Sequence, residues 1–95
     1  MIKSDIVAIH IDDALNIWID GKFVHFTIHV RDEIDEYNKD TLFVCEIVDK
    51  GKKELVSKNE NRYESRLKIG SMKWLVVWFD MGNKILIKHL GKEKR

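Results

Sequence analysis

The 95-residue sequence contains no proline and a single cysteine, Cys45. One cysteine excludes an internal disulfide and any cysteine-rich zinc motif. The longest uninterrupted apolar run, residues 74–79, is too short for a bilayer, which needs about 20 apolar residues. No asparagine is followed at the second position by serine or threonine, so N-glycosylation acceptors are absent. No positively charged leader precedes an apolar stretch. We therefore expect a cytoplasmic protein that does not contact a membrane.

The sequence also lacks the usual catalytic motifs. Its glycines are isolated and match neither common phosphate-binding loop, and no serine has the context of a nucleophile elbow. Cys45 lies among apolar residues with no basic neighbour, which indicates a buried, inert thiol. The adjacent carboxyls of Asp12 and Asp13 would point to opposite faces of a strand, so they could not readily act on one substrate. We therefore predict a protein that is not an enzyme and has no cofactor.

The composition is that of one globular domain. Hydrophobic residues make up 44% and charged residues 35% of the chain, which excludes disordered and fibrous classes. A chain of this length folds around one modest core. We predict a single domain over residues 1–95, with residues 91–95 as a frayed tail.

Charge is distributed unevenly along the chain. Residues 1–40 contain 4 basic and 9 acidic side chains, whereas residues 41–95 contain 13 basic and 7 acidic ones. Such asymmetry is typical of nucleic-acid surfaces or of attraction between copies of a chain. The simpler interpretation is that antiparallel strands from the two parts lie together and their charges interleave.

Alternation of apolar and polar residues predicts a first hairpin. Apolar residues occupy alternate positions from Val7 to Ile19. The Asp20-Gly21 dipeptide that follows suits a type I′ turn, because both of its central positions need positive φ. A second alternating strand then continues to residue 31, with Ile17 opposite Val24. The first strand would be unusually long, so we expect a bend at residues 12–13.

The middle of the chain is less regular. Residues 32–40 are acidic and suit either a short helical turn or a loop. Residues 41–48 are apolar at both odd and even positions, which is typical of a central strand with both faces buried. A polar turn and a weaker strand at residues 54–56 follow.

The last third predicts a three-stranded meander over residues 62–69, 72–80 and 83–90. Gly70-Ser71 fits a type II′ turn, which places Leu67 opposite Trp74, and a second two-residue turn would place Trp78 opposite Ile85. The predicted fold is therefore all-β: a small antiparallel barrel or two-sheet sandwich of about seven strands. Its connections would be mostly hairpins and meanders, with at most one short helical turn near residues 32–40.

The meander has two apolar faces. One carries so many large side chains that it must face the core: Tyr63, Leu67, Ile69, Met72, Trp74, Val76, Trp78, Ile85 and Ile87. A solvated opposite face would be polar throughout, whereas apolar residues rimmed by charge are typical of an interaction surface. Alternatively, the first half of the chain covers this second face. The predicted binding residues are Leu75, Val77, Phe79 and Leu86, with a basic rim of Arg62, Arg66, Lys73, Lys84 and Lys88.

Two histidines and an aspartate form a candidate metal or acid–base site. In the predicted hairpin register His29 faces Asp12, and His10 is the diagonal neighbour of His29, within reach of one ion. The expected bend at residues 12–13 would disturb this register. We therefore favour the interpretation that all three are ordinary surface side chains, and we predict no metal.

These features together predict a non-catalytic binding module. It would dock a protein partner, or a second copy of itself, through the apolar stripe on the meander, with the basic rim steering the approach. The alternative is a single-stranded nucleic-acid binder that uses the basic C-terminal half. That alternative requires aromatic side chains on the basic face, and Phe79 is the only one expected on that face of the meander.

Overall fold

The computed structural model describes residues 8–93, which form one seven-stranded sheet and two helices. In chain order the elements are β1 (Ile9–Ile11), β2 (Ile17–Ile19), β3 (Lys22–Phe26), α1 (Ile28–Glu36), α2 (Thr41–Lys50), β4 (Lys52–Ser57), β5 (Arg62–Ile69), β6 (Met72–Asp80) and β7 (Lys84–Glu93). The strands lie in the order β1-β2-β3-β7-β6-β5-β4, and neighbours are antiparallel except for the parallel pair β3 and β7. Neither helix in this range is long and apolar enough to cross a membrane.

The prediction of a mostly β protein is confirmed, but the predicted closed architecture is not found. Within residues 8–93 the strands belong to one open sheet, and β1 and β4 form its two edges. A barrel would require these edges to pair with each other. A sandwich would require a second sheet, whereas here α1 and α2 supply the second layer of the core.

The prediction of a strand over residues 41–48 is wrong, because this segment forms α2. The Asp40 side chain caps the helix by accepting a 2.9 Å hydrogen bond from the Phe43 amide. The buried residues Val44, Cys45, Ile47 and Val48 recur with helical spacing. A short apolar run is compatible with both periods, so the sequence pattern did not distinguish them.

The second strand of the predicted first hairpin is half as long as expected. It ends at Phe26, and Thr27 caps α1 by accepting a hydrogen bond from the Val30 amide. Val30 and Ile34 lie one helical turn apart and are both buried. The prediction of at most one helical turn near residues 32–40 is therefore wrong, since two helices occupy most of residues 28–50.

The predicted bend at residues 12–13 is a complete reversal of the chain. β1 and β2 are separate antiparallel strands, with Ile9 opposite Ile19. The Asp20-Gly21 turn has positive φ at both residues, as expected for type I′. Val7 and the start of the predicted first strand lie outside the described residues.

The C-terminal meander is formed as expected, with two changes of register between β6 and β7. Leu67 lies opposite Trp74, as predicted. Between β6 and β7, however, Trp78 lies opposite Ile87 rather than Ile85, because the connecting loop is longer than two residues. A shift of two residues preserves the face of each side chain. The bulge at Lys88 then moves the later residues of β7 by one more position, so that Val76 lies opposite the buried Leu90. β7 continues through residues 91–93 of the predicted tail, whereas residues 94–95 lie outside the described range.

The core lies between the sheet and the helices. Trp74, Trp78, Ile85 and Ile87 are buried on the inner face, as the meander pattern predicted. Ile69, placed on that face by the same pattern, is 40% exposed near the end of its hairpin. α2 contacts β5 and β6, and it also contacts β1 at the far edge of the sheet. The sheet therefore curves around α2, and its other face, here called the outer face, points away from the core.

Candidate functional site

The four predicted apolar binding residues lie together on the outer face. Phe79 is directly opposite Leu86, and Val77 and Leu75 follow on the same side of β6. All four are half-buried. The buried side chains of α1 and α2 belong to the core on the inner face. Leu75, Val77, Phe79 and Leu86, the outer patch, are therefore not covered by the buried sides of the two helices.

Two aromatic residues that the sequence analysis missed extend this apolar surface. Trp18 and Phe23 are cross-strand neighbours on β2 and β3, with ring centroids 5.5 Å apart in an edge-on arrangement. Both are half-buried, and Phe23 lies opposite Lys84. The signal was present in the sequence: Ile17 and Ile19 point to the core, so Trp18 between them must point outward.

The rim of the outer patch is less strongly basic than expected, because Arg66 is paired with carboxylates. Its guanidinium lies 2.9 Å from the Glu64 carboxylate, 3.2 Å from Glu93 and 3.5 Å from Glu54. Hydrogen bonds to Glu93 and Glu64 raise the pKa of Arg66. Arg66 therefore organises the acidic side chains of β4, β5 and β7 around itself.

The other predicted cations are distributed around the outer patch. Arg62 lies opposite Phe79, and its Nε is buried without a hydrogen-bond partner among the described residues. Lys84 and Lys88 are exposed, and Lys88 occupies a bulge in β7. Lys73 borders a groove of about 690 Å³ that is predominantly basic, lined by Lys52, Lys53, Glu54, Arg66, Leu67, Lys68 and Lys73.

The candidate set of His10, Asp12 and His29 is not brought together. Asp12 closes the β1–β2 turn, where its carboxylate accepts hydrogen bonds from the amides of Ala14 and Asn16 and the indole of Trp18. His10 is the cross-strand partner of Trp18. His29 lies on α1 rather than on a strand. The predicted register failed because the chain leaves the sheet at Thr27.

A different histidine–carboxylate cluster is assembled between α1 and β7. His29 Nε2 lies 3.1 Å from Glu33 Oε2, and His89 Nδ1 lies 2.7 Å from the same oxygen. The second carboxylate oxygen, Glu33 Oε1, accepts a 2.8 Å hydrogen bond from the Leu90 amide. The two imidazole rings are nearly parallel, with centroids 6.2 Å apart. His29, Glu33 and His89, the His–Glu–His cluster, offer three ligand atoms that lie within 4.8 Å of one another.

Cys45 is fully buried in α2. Burial, assisted by the negative charges of Asp40 and Glu46, raises the pKa of its thiol to about 12. The thiolate form that acts as a nucleophile is therefore strongly disfavoured. This environment agrees with the prediction of an inert core thiol.

No model of a known protein family, no curated protein and no solved structure matches this chain significantly.

Proposed function

We propose that this chain is a non-catalytic binding module that docks a protein partner through the outer patch. The observation that supports this function is the arrangement of the two faces of the sheet. The inner face packs against both helices, yet the outer face also carries large apolar side chains, including Phe79 opposite Leu86. Clustered apolar residues on a sheet face that points away from the core are typical of interaction surfaces.

The charge of the outer face favours a partner with acidic side chains around an apolar centre. Among the described residues of β4 to β7, the alternating register puts six cations on this face and three carboxylates among them. Face-to-face association of two copies would bring like charges together, which opposes binding. An acidic partner would instead be attracted by the same rim. The charged residues concerned are Lys52, Arg62, Arg66, Lys68, Lys73 and Lys84, with Glu54, Glu64 and Glu93.

The experiment compares Val77→Asp with a matched control, Leu15→Asp. Val77 lies within the outer patch, whereas Leu15 is a 79% exposed apolar residue in the β1–β2 turn. A protein captured by the wild-type chain is purified and titrated against both variants by calorimetry. We expect Val77→Asp to weaken binding at least about tenfold, or about 1.4 kcal/mol, and Leu15→Asp to bind like the wild type.

The titration is accompanied by light scattering of each protein alone and by circular dichroism. A wild-type dimer that Val77→Asp converts to a folded monomer would identify a second copy as the partner instead. Equal binding by both folded variants would contradict docking through the outer patch.

A single-stranded nucleic acid is the second candidate ligand, and the placement of the aromatic residues favours it. Trp18, Phe23 and Phe79 all lie on the outer face, and the groove beside Lys73 is predominantly basic. Aromatic side chains beside cations are the arrangement on which unpaired bases stack. Fluorescence anisotropy with labelled oligonucleotides of RNA and DNA tests it at two salt concentrations. Binding should fall steeply with salt and weaken in Phe79→Ala; absence of binding at low salt would remove this candidate.

A further inference from the structure

We propose that the His–Glu–His cluster is a zinc site that joins α1 to β7. The cluster combines two imidazole nitrogens with one carboxylate oxygen, a donor set that suits Zn²⁺. His29 and Glu33 are one helical turn apart on α1, and His89 comes from β7. Residues from two different elements thus converge on one point.

The spacing of the ligand atoms is compatible with one bound ion. Zinc lies about 2.0–2.2 Å from nitrogen and oxygen ligands, so ligand atoms around one ion lie up to roughly twice that distance apart. His29, Glu33 and His89 each offer one ligand atom, and these three atoms all lie within 4.8 Å of one another. Small rotations of the two imidazole rings would place all three atoms around an ion, because the His29 and His89 side chains are 69% and 43% exposed. A fourth position would remain for water.

The carboxylate at the centre of the cluster is held in place by the fold. Glu33 is only 14% exposed, and its second oxygen accepts the hydrogen bond from the Leu90 amide. Leu90 is fully buried, as is Val30 on the same helix as Glu33. Fixed partners of this kind orient a metal ligand. Among residues 8–93, no lysine or arginine forms an ion pair with Glu33, and the side chains that face its carboxylate are the two imidazoles.

The position of the cluster would let a bound ion link α1 to β7. β3 pairs with β7 only as far as Ile87, and beyond it α1 lies beside β7. A metal ion shared by Glu33 and His89 would tie the helix to the part of β7 that extends beyond its pairing with β3. Binding to the folded state alone stabilises a protein by mass action.

The test is zinc titration of the tag-free full chain by calorimetry, with thermal unfolding in parallel. We expect the wild type to bind one equivalent of zinc and its melting temperature to rise when zinc is added. His29→Ala is the main variant, because the exposed His29 side chain can be removed without disturbing the core. Its zinc affinity should fall at least about tenfold. Removing a residue that only hydrogen-bonds to a metal ligand already causes a loss of that size.

Glu33→Gln serves as the second variant, and His25→Ala is the matched control. His25 is an exposed histidine on β3 outside the cluster. Both cluster variants should abolish the zinc-dependent rise in melting temperature, and the control should retain it. Cobalt added in place of zinc should give visible ligand-field absorption that is lost in the same variants. No zinc binding by the wild type, or equal affinities for the wild type and a folded His29→Ala variant, would overturn the proposal.

Discussion

The indole nitrogen of Trp78 donates a 2.9 Å hydrogen bond to the hydroxyl oxygen of Ser65 inside the core. Ser65 is fully buried, and Trp78 is 5% exposed. Trp78 also stacks on Tyr63, with ring centroids 4.6 Å apart. A large aromatic side chain is thus placed on the inner face by packing and oriented by one polar contact.

Replacing Ser65 with alanine should destabilise the fold, because the indole N–H of Trp78 would lose its partner in a dry environment. We expect the free energy of unfolding in urea to fall by about 1–3 kcal/mol. Ser71→Ala, a change in the exposed β5–β6 turn, should alter it by less than about 0.5 kcal/mol. Equal effects of the two substitutions would show that the Trp78–Ser65 hydrogen bond contributes nothing.

Gly51 marks a close approach between the end of α2 and β5, and its replacement should be costly. A Cβ atom there would lie 2.5 Å from the Ile47 carbonyl oxygen and 2.7 Å from the Arg66 carbonyl oxygen. Both neighbours are backbone, so the helix end must move. We expect Gly51→Ala to reduce the free energy of unfolding by about 1–3 kcal/mol, whereas Lys52→Ala, at an exposed position, should be nearly neutral. A wild-type unfolding midpoint for Gly51→Ala would contradict this close packing.

Asp12 should make stability depend on pH in the acid range. Hydrogen bonds from the Trp18 indole and the Asn16 amide hold the pKa of Asp12 below its ordinary value. The native state therefore favours the carboxylate, and this stabilisation is complete above the ordinary pKa of about 4. It is lost as the pH falls through the lowered native pKa.

The difference in unfolding free energy between the wild type and Asp12→Asn should therefore be larger at neutral pH and shrink on acidification. Urea unfolding at a series of pH values measures it, and Asp13→Asn at the neighbouring exposed position is the control. A difference that grows as the pH falls would contradict the predicted sign.

Cys45 should resist modification in the folded protein. Its thiol is fully buried, and its pKa is raised to about 12 by burial and by the nearby Asp40 and Glu46. We expect an aromatic disulfide reagent to react with it only through unfolding, slowly in buffer and rapidly in concentrated urea. Fast reaction in buffer without loss of structure would show that α2 opens locally.

The sequence correctly indicated the features that depend on local chemistry. Turn dipeptides predicted the β2–β3 and β5–β6 reversals, because glycine in these turns adopts positive φ. Alternation then assigned the side chains of β5, β6 and the first part of β7 to a face, whereas the bulge at Lys88 reverses it and buries Leu90. This is why burial of Trp74 and Trp78, and the position of the outer patch opposite them, could be predicted from the sequence.

The sequence did not identify the two helices within residues 28–50. Val30 continues the alternation of the preceding strand and also lies one helical turn from Ile34, and residues 41–48 are compatible with a buried strand as well as a helix. Threonine and aspartate are common helix-capping residues. Thr27 and Asp40, whose side chains cap α1 and α2, are therefore local signals that could have identified the helix starts. Without them, the predicted hairpin register placed His29 beside the wrong partners.

The amino-acid pattern by itself determined the β2–β3 and β5–β6 turns and the buried face of the meander, since both follow from the backbone preferences and side-chain alternation of neighbouring residues. Only the tertiary structure decided that β3 pairs with β7 and that Glu33 contacts His89 and Leu90. Leu90 follows Glu33 by 57 residues in the chain. Contacts at such separations depend on how whole elements pack around the core. No local periodicity encodes that choice.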